Sequence, residues 1–227
     1  MALADIFKQN ANKSITVTGA ESSNISHATY SVKCNNIQRN CYLVNQLERA
    51  NLQEGAHVAG GNTVTVATAH NGNCYWLPWR GWRAVAGQLQ GACNFFVTAN
   101  LTGCCFVVSG NQVSPFVVHM NCQPANEGLV SFPNSGDIKE YNFDLQAAQD
   151  QFYGQVTEQL ITNNVIAHAG LQMLKPSDYG AKAREGYGTP TSVFGVRTGG
   201  LWTFYYNVGK GGGPGITREL FPNFQPL

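Results

Sequence analysis

Apolar and polar residues alternate in several short runs along the chain, with the two-residue period of half-buried β-strands. The run Asn62–Thr68, N-T-V-T-V-A-T, shows this alternation most clearly. Other β-like runs are bounded by turn-forming residues, which is typical of strands joined by short connections. These further predicted strands are Ser14–Thr18, Ala28–Lys33, Cys41–Val44, Phe95–Thr98, Cys105–Val108, Phe116–Met120, Thr191–Arg197 and Leu201–Asn207.

Two segments favour helix. Residues 2–10 read as one short helix, and a longer one is predicted from Leu145 to about Asn163. The longer segment carries an apolar stripe spaced three and four residues apart, typical of core packing. The stripe consists of Leu145, Ala148, Phe152, Val156 and Leu160. Many short strands with one long and one short helix predict an α+β fold. We expect a single domain, 1–227, with a β-sandwich-like core of mixed sheets flanked by helices.

Two segments that contain proline and glycine are interpreted as connections between secondary-structure elements. Pro176–Gly180, P-S-D-Y-G, is predicted to be a turn. The glycine-rich stretch Gly209–Gly215 lacks the G-x-x-x-x-G-K-[ST] order of a phosphate-binding loop. No helical pattern follows it, and we expect a flexible loop there.

Composition excludes several classes of function. Of the 227 residues, 43% are apolar and 12% charged, which suits a chain that buries a core. A net charge of +1 gives no basis for attraction to nucleic acid or to a membrane surface. No apolar run approaches the roughly 18 residues of a membrane span. The first ten residues lack the apolar run of a signal peptide, so we expect export, if any, without a cleaved leader.

Seven cysteines leave at least one outside any internal disulfide, because the number is odd. We expect all of them to be reduced. His119 and Cys122 have H-x-x-C spacing, but the chain contains no C-x-x-C pair of the kind that structural zinc sites use. We therefore predict no metal.

The segment Asn94–Asn121 is the strongest candidate for a site. The residues Ser109, Gly110, Asn111 and Gln112 predict the turn of a β-hairpin between apolar runs. Such a hairpin brings Cys104, at the start of one strand, close to His119, near the end of the next. A neighbouring imidazole can hold a thiol as thiolate or take its proton during attack, provided its other nitrogen is anchored. The Thr102-Gly103-Cys104 backbone could donate to a developing oxyanion.

Spacing alone leaves two interpretations of this pair open. Cys104 and His119 can be two packed strand residues in a non-catalytic β-rich binding module. They can also be a functional Cys–His pair, which a cysteine protease or transglutaminase would use as well.

Resemblance to a known family favours a thiol enzyme. Leu101-Thr102-Gly103-Cys104 with His119 downstream resembles the L-S-G-C…His signature of bacterial glutamine-deamidase toxins, which include the cytotoxic necrotising factors and the Burkholderia lethal factor. Further segments resemble the lethal factor in the same order along the chain. They are Trp76-Leu77-Pro78-Trp79, Phe96-Val97-Thr98, Val118-His119, Pro176–Gly180 and Val196–Gly199. Thr102 replaces the serine of the signature, a second cysteine follows it, and the hairpin is longer than in the lethal factor.

The resemblance implies roles for individual residues. Cys104 matches the nucleophile and His119 the general base and acid. Thr98 matches the position whose backbone carbonyl orients the histidine, so its side chain should be replaceable. Tyr179 matches a family tyrosine near the site and is expected to place the substrate amide or its oxyanion. Cys105 should face away from Cys104 on an alternating strand, in the core.

The resemblance also implies a function. We expect a cytotoxin that converts a glutamine of a host regulatory protein to glutamate, with ammonia release and no cofactor. The expected substrate is a translation-initiation helicase, or else a Rho-type small GTPase. The enzyme is expected to be monomeric, to bind neither nucleic acid nor membrane, and to pass from the bacterial to the host cytoplasm.

Overall fold

The computed structural model describes residues 14–19, 27–34, 37–54, 61–80, 83–91, 93–101, 103–121, 143–183, 191–210 and 213–221. The strands before the candidate site are β1 Ser14–Gly19, β2 His27–Cys34, β3 Ile37–Asn45, β4 Glu48–Glu54, β5 Gly61–Thr68, β6 Cys74–Leu77 and β7 Arg83–Gln88. Those from the site onward are β8 Phe95–Thr98, β9 Cys105–Ser109, β10 Phe116–Asn121, β11 Gln172–Leu174, β12 Thr191–Thr198, β13 Leu201–Lys210 and β14 Gly213–Phe221. Helix α1 is Phe143–Thr162 and helix α2 is Pro176–Ala183.

These strands form two mixed sheets. The eight-stranded sheet has the order β1-β5-β4-β6-β8-β12-β13-β14, and the six-stranded sheet has the order β11-β9-β10-β7-β3-β2. The pairs β1–β5, β6–β8 and β3–β7 are parallel, and the other pairs are antiparallel. The predicted α+β domain with a β-sandwich-like core is confirmed.

Three apolar layers separate the elements. The first, the inter-sheet layer, lies between the two sheets and contains Phe96 from one sheet and Phe106 from the other. The second, the helix-side layer, lies between the six-stranded sheet and α1, whose Phe152, Val156 and Leu160 are buried there. A third cluster, including Trp76, covers the other face of the eight-stranded sheet. These three members of the predicted stripe therefore pack as the periodicity predicts, and the side chains of Leu145 and Ala148 lie outside the description.

Strand alternation decides which layer each side chain enters. On β9, Phe106 and Val108 face the inter-sheet layer, whereas Cys105 and Val107 face the helix. Cys105 is fully buried on the helix side, and burial raises the pKa of its thiol well above the ordinary 9.0. The prediction that Cys105 belongs to the core and faces away from Cys104 is confirmed.

Two of the predicted connections are wrong. Pro176–Gly180 is the first part of α2, because proline is tolerated at the first helical position, where its missing N–H is not needed. Asp178 stabilises this start by accepting the backbone N–H of Lys175 at 2.7 Å. In the glycine-rich stretch, residues 209–210 end β13 and residues 213–215 begin β14, with Lys210 paired to Gly213. The predicted helix 2–10 lies outside the described residues.

Candidate active site

The segment 99–104 carries the chain from one sheet to the other, since β8 belongs to the eight-stranded sheet and β9 to the six-stranded sheet. Its start is fixed by the Ala99 N–H, which donates to the Leu77 carbonyl at 3.2 Å. Its middle is fixed by Leu101, which exchanges two backbone hydrogen bonds with Thr191, at 2.7 and 3.0 Å. Cys104 therefore enters the inter-sheet layer from a segment held to both β6 and β12.

Two tyrosine hydroxyls hold the backbone immediately around the cysteine. The Tyr179 hydroxyl accepts the Gly103 N–H at 3.0 Å and donates to the Cys104 carbonyl at 2.6 Å. The Tyr153 hydroxyl, from α1, donates to the Gly103 carbonyl at 2.9 Å. Gly103 has φ +116°, which side chains disfavour, so glycine is needed at this bend. Both helices thus position the peptide that carries Cys104.

The hairpin register puts Cys104 and His119 on one face. His119 pairs with Phe106, and Met120 pairs with Cys105. Cys104, one residue before β9, is therefore diagonal to His119, and both side chains lie in the inter-sheet layer. Cβ atoms of such diagonal neighbours are about 7 Å apart, close enough for longer side chains to meet. Cys104 is 3% exposed and His119 is 1% exposed.

Two hydrogen bonds of the Thr98 hydroxyl, one to Leu77 and one to His119, determine the tautomer of His119. The Thr98 hydroxyl donates to the Leu77 carbonyl at 2.8 Å and lies 2.8 Å from His119 Nδ1. A hydroxyl has one proton to donate, and a carbonyl can only accept, so Thr98 must accept the proton of Nδ1. His119 is therefore the Nδ1–H tautomer, and its Nε2 carries a lone pair.

The lone pair on Nε2 is buried and unused. Nε2 has no hydrogen-bond partner, so it is not bonded to the Cys104 thiol in this state. Burial lowers the pKa of His119 from 6.5 to about 3. The imidazole is therefore neutral at physiological pH, and its Nε2 lone pair is unprotonated.

Thr98 contacts His119 through a different atom from the one that the resemblance implied. The contact is made by the side-chain hydroxyl and not by the backbone carbonyl. Replacement of the Thr98 side chain would therefore remove this contact, and the expectation that the side chain is replaceable stays a prediction that Thr98→Val can test.

Two of the three residues expected to stabilise an oxyanion are engaged elsewhere. The Gly103 N–H and the Tyr179 hydroxyl bond to each other, and the hydroxyl also bonds to Cys104. Both therefore hold the backbone at Gly103 and Cys104 in this state. Thr102, the third, lies outside the described residues.

Tyr153 is the positioning residue that the sequence analysis missed. It lies beside Phe152 on the apolar stripe of α1, and its ring packs in the helix-side layer. Its aromatic character gives a packing signal only, since the contact of its hydroxyl depends on a loop 50 residues earlier in the chain.

Other features of the described residues do not add to this site. They contain no group of three or more His, Cys, Asp or Glu side chains arranged to hold a metal ion. Within the same ranges, no helix is long and apolar enough to cross a membrane. A surface depression of about 330 Å³ is lined by Glu48, Arg49, Thr68, Ala69 and His70, none of which belongs to the candidate site.

Comparisons with known proteins assign no family to the chain. No protein-family model matches it, and no curated protein matches it.

Proposed function

We propose that the protein is a protein-glutamine deamidase in which Cys104 is the nucleophile and His119 the general base and acid. One observation carries the proposal: the unpartnered Nε2 lone pair of His119 faces the same layer as Cys104, with Nδ1 anchored by Thr98. An anchored imidazole with a free lone pair is what activation of a thiol requires. The signature Leu101–Cys104 with His119 directs the proposal to side-chain amides.

The first step forms a thioester. As the Cys104 sulfur attacks the carboxamide carbon of a target glutamine, its proton passes to His119 Nε2. The carbonyl electrons move to the oxygen, giving a tetrahedral oxyanion. When the oxyanion collapses, the C–N bond breaks and Nε2–H gives its proton to the departing ammonia. The imidazole is neutral at rest, as these steps require, because Nε2 must take the Cys104 proton before it gives that proton to ammonia.

The second step hydrolyses the thioester. His119 Nε2 takes a proton from water, whose oxygen attacks the acyl carbon. Collapse of the second tetrahedral species breaks the C–S bond, and the proton on Nε2 returns to the Cys104 sulfur. The balance is glutamine plus water giving glutamate plus ammonia, without a metal or organic cofactor.

The target follows from the resemblance alone. It suggests a host translation-initiation helicase, with a Rho-type GTPase as the alternative, modified in the host cytoplasm by a monomeric toxin. One added negative charge can disable a protein whose glutamine positions water or contacts a partner.

A second candidate function, a non-catalytic β-rich binding module, is favoured by the burial of both residues. In that case Cys104 and His119 only pack between the sheets. Thiol reactivity separates the two: the deamidase requires Cys104 to react faster than Cys74, Cys93 and Cys105, which are equally buried.

The test is a comparison of the wild-type protein with Cys104→Ser in a eukaryotic cytosol extract. Proteome-wide mass spectrometry should find a Gln→Glu conversion with the wild type and none with the variant. An extract that the protein poisons without any such conversion would sink the proposal. Peptide cleavage, or amine incorporation exceeding ammonia release, would instead indicate the protease or transglutaminase alternative.

A further inference from the structure

Thr191 places a second unpartnered polar group near the candidate nucleophile. Its side chain is 1% exposed, and its hydroxyl has no hydrogen-bond partner. A buried hydroxyl without a partner destabilises the folded protein and calls for an explanation.

Strand register shows where this hydroxyl points. Thr191 pairs with Val208 on β13 and is two residues from Val193, and both valines face the inter-sheet layer. Because cross-strand partners and alternate residues share a face, the Thr191 side chain enters the same layer as Cys104 and His119.

Backbone contacts bring Thr191 close to the site. Its N–H and carbonyl both bond to Leu101, three residues before Cys104. On the other side, Phe194 pairs with Val97, so Val193 comes next to Thr98, which holds His119. Thr191 lies two residues further along β12, roughly 7 Å from Val193 at the strand rise. Its position is thus beside the segment 101–104, on the face that Thr98 shares.

The two unpartnered groups are complementary to a primary carboxamide. A carboxamide presents an accepting oxygen and a donating NH₂. We propose that the Thr191 hydroxyl donates to the carboxamide oxygen, and to the oxyanion formed from it, while His119 Nε2 faces the NH₂ and gives it the proton taken from Cys104. This inference rests on the proposed function and names Thr191 as a further catalytic residue.

The same pair explains how substrate and product are distinguished. The glutamate product presents only acceptor oxygens, so Nε2 has no proton to receive from it and faces it with a lone pair. A buried carboxylate in this layer is also poorly solvated. The site therefore favours the neutral amide over the charged product.

The test measures modification of Cys104 by two reagents, site by site, with mass spectrometry. Iodoacetamide carries a primary carboxamide, whereas methyl methanethiosulfonate carries none. Removing the hydroxyl in Thr191→Val should slow iodoacetamide roughly tenfold, the size of one hydrogen bond, and leave the other reagent unchanged. Thr191→Ser should retain the wild-type ratio of the two rates, and Thr191→Ala provides a second hydroxyl-free variant.

Ser109→Ala is the matched control. The Ser109 hydroxyl is also fully buried and unpartnered, but Ser109 follows Val108 on β9 and faces the helix side. Its removal should leave both rates unchanged. An unchanged rate ratio in Thr191→Val and Thr191→Ala, or an equal fall with both reagents, overturns the role of Thr191.

Turnover on the glutamine found in the extract distinguishes the two proposals. Loss of one oxyanion donor should lower kcat by roughly 100- to 1000-fold. Full turnover in Thr191→Val, with none in Cys104→Ser, would refute the catalytic role of Thr191 and support the deamidase proposal. The ratio of the two reagent rates could instead depend on Thr191 while the wild type converts no glutamine. That result would support a carboxamide-binding site and refute the deamidase proposal.

Discussion

Among single residues, Thr98 decides which nitrogen of His119 can act as a base. Its hydroxyl joins Leu77 in one sheet to His119 in the other, and the direction of its own proton leaves Nε2 unprotonated. A valine at this position has nearly the same shape and lacks the hydroxyl. The substitution therefore isolates the hydrogen bonds from the packing.

Thr98→Val should lower both stability and activity. Nδ1–H loses its acceptor in a buried layer, which costs about 1 to 3 kcal/mol of unfolding free energy. The tautomer also loses its anchor, so turnover should fall, by about 100-fold. Urea denaturation measures the first effect and steady-state turnover the second.

Thr98→Ser keeps the hydroxyl and is the control, with turnover expected near the wild type. If Thr98→Val were as active as the wild type, the histidine would be oriented by another group, such as the backbone carbonyl that the resemblance implied.

The candidate pair itself was predictable from the local pattern. Thr98 and Tyr179 were expected beside it only through the resemblance, and the positions of Tyr153 and Thr191 were not predicted. Hairpin pairing is local, so Cys104 and His119 could be placed on one face from their positions in the turn pattern. Thr98 and Thr191 reach that face from the other sheet. Contact between sheets depends on how the whole sandwich packs, which alternation along one strand does not specify.

At the level of elements, two helices bind the segment that carries Cys104. The Tyr153 hydroxyl, on α1, donates to the Gly103 carbonyl. The Tyr179 hydroxyl, on α2, accepts the Gly103 N–H. Positioning by rigid elements matters because a displacement of about 1 Å at a reacting group can cost 100-fold in rate.

Tyr153→Phe should therefore reduce kcat by about 10- to 100-fold and leave KM nearly unchanged. The ring still packs between α1 and the six-stranded sheet, so the loss of stability should be only about 1 kcal/mol. Steady-state kinetics and thermal unfolding give the two values.

Tyr75→Phe is a suitable comparison, because the Tyr75 hydroxyl donates to the Gln90 carbonyl and does not contact the segment 101–104. It should affect stability without affecting kcat. Equal losses of kcat in both variants would show that the Tyr153 contact has no special role in positioning.

Strands with clear alternation were predicted almost to the residue, whereas strands defined by their neighbours were missed. The alternating run Asn62–Thr68 was predicted within one residue of the observed strand Gly61–Thr68. Glu48–Glu54, E-R-A-N-L-Q-E, has little strand character and is extended because β5 and β6 pair with it on both sides. The short strand Gln172–Leu174 likewise depends on its pairing with β9. Pairing partners distant in sequence supply information that a local pattern lacks.

For the molecule as a whole, the layered packing buries the proposed base and so links stability to pH. Unfolded, His119 binds a proton below pH 6.5, but in the folded protein only near pH 3. The unfolded state therefore takes up more protons between these values. The stability attributable to His119 is present above pH 6.5 and is lost as the pH falls.

Between pH 7 and pH 5 this loss should be about 2 kcal/mol of unfolding free energy. Asp150 and Asp178, whose pKa values burial raises, act in the opposite sense, since their effect is lost as the pH rises. A comparison with His119→Asn isolates the histidine, because both proteins retain the two aspartates. Denaturant titrations should give a smaller pH dependence in the variant; an identical dependence would mean that His119 titrates normally.

The central claim is that a thioester forms on Cys104, and hydroxylamine tests it most directly. Hydroxylamine competes with water for a thioester, so the target glutamine in the extract should become a mixture of glutamate and glutamyl hydroxamate with the wild-type protein. Mass spectrometry of that glutamine should find neither product with Cys104→Ser. Glutamate without hydroxamate at high hydroxylamine, or the same products with Cys104→Ser, would contradict the claim.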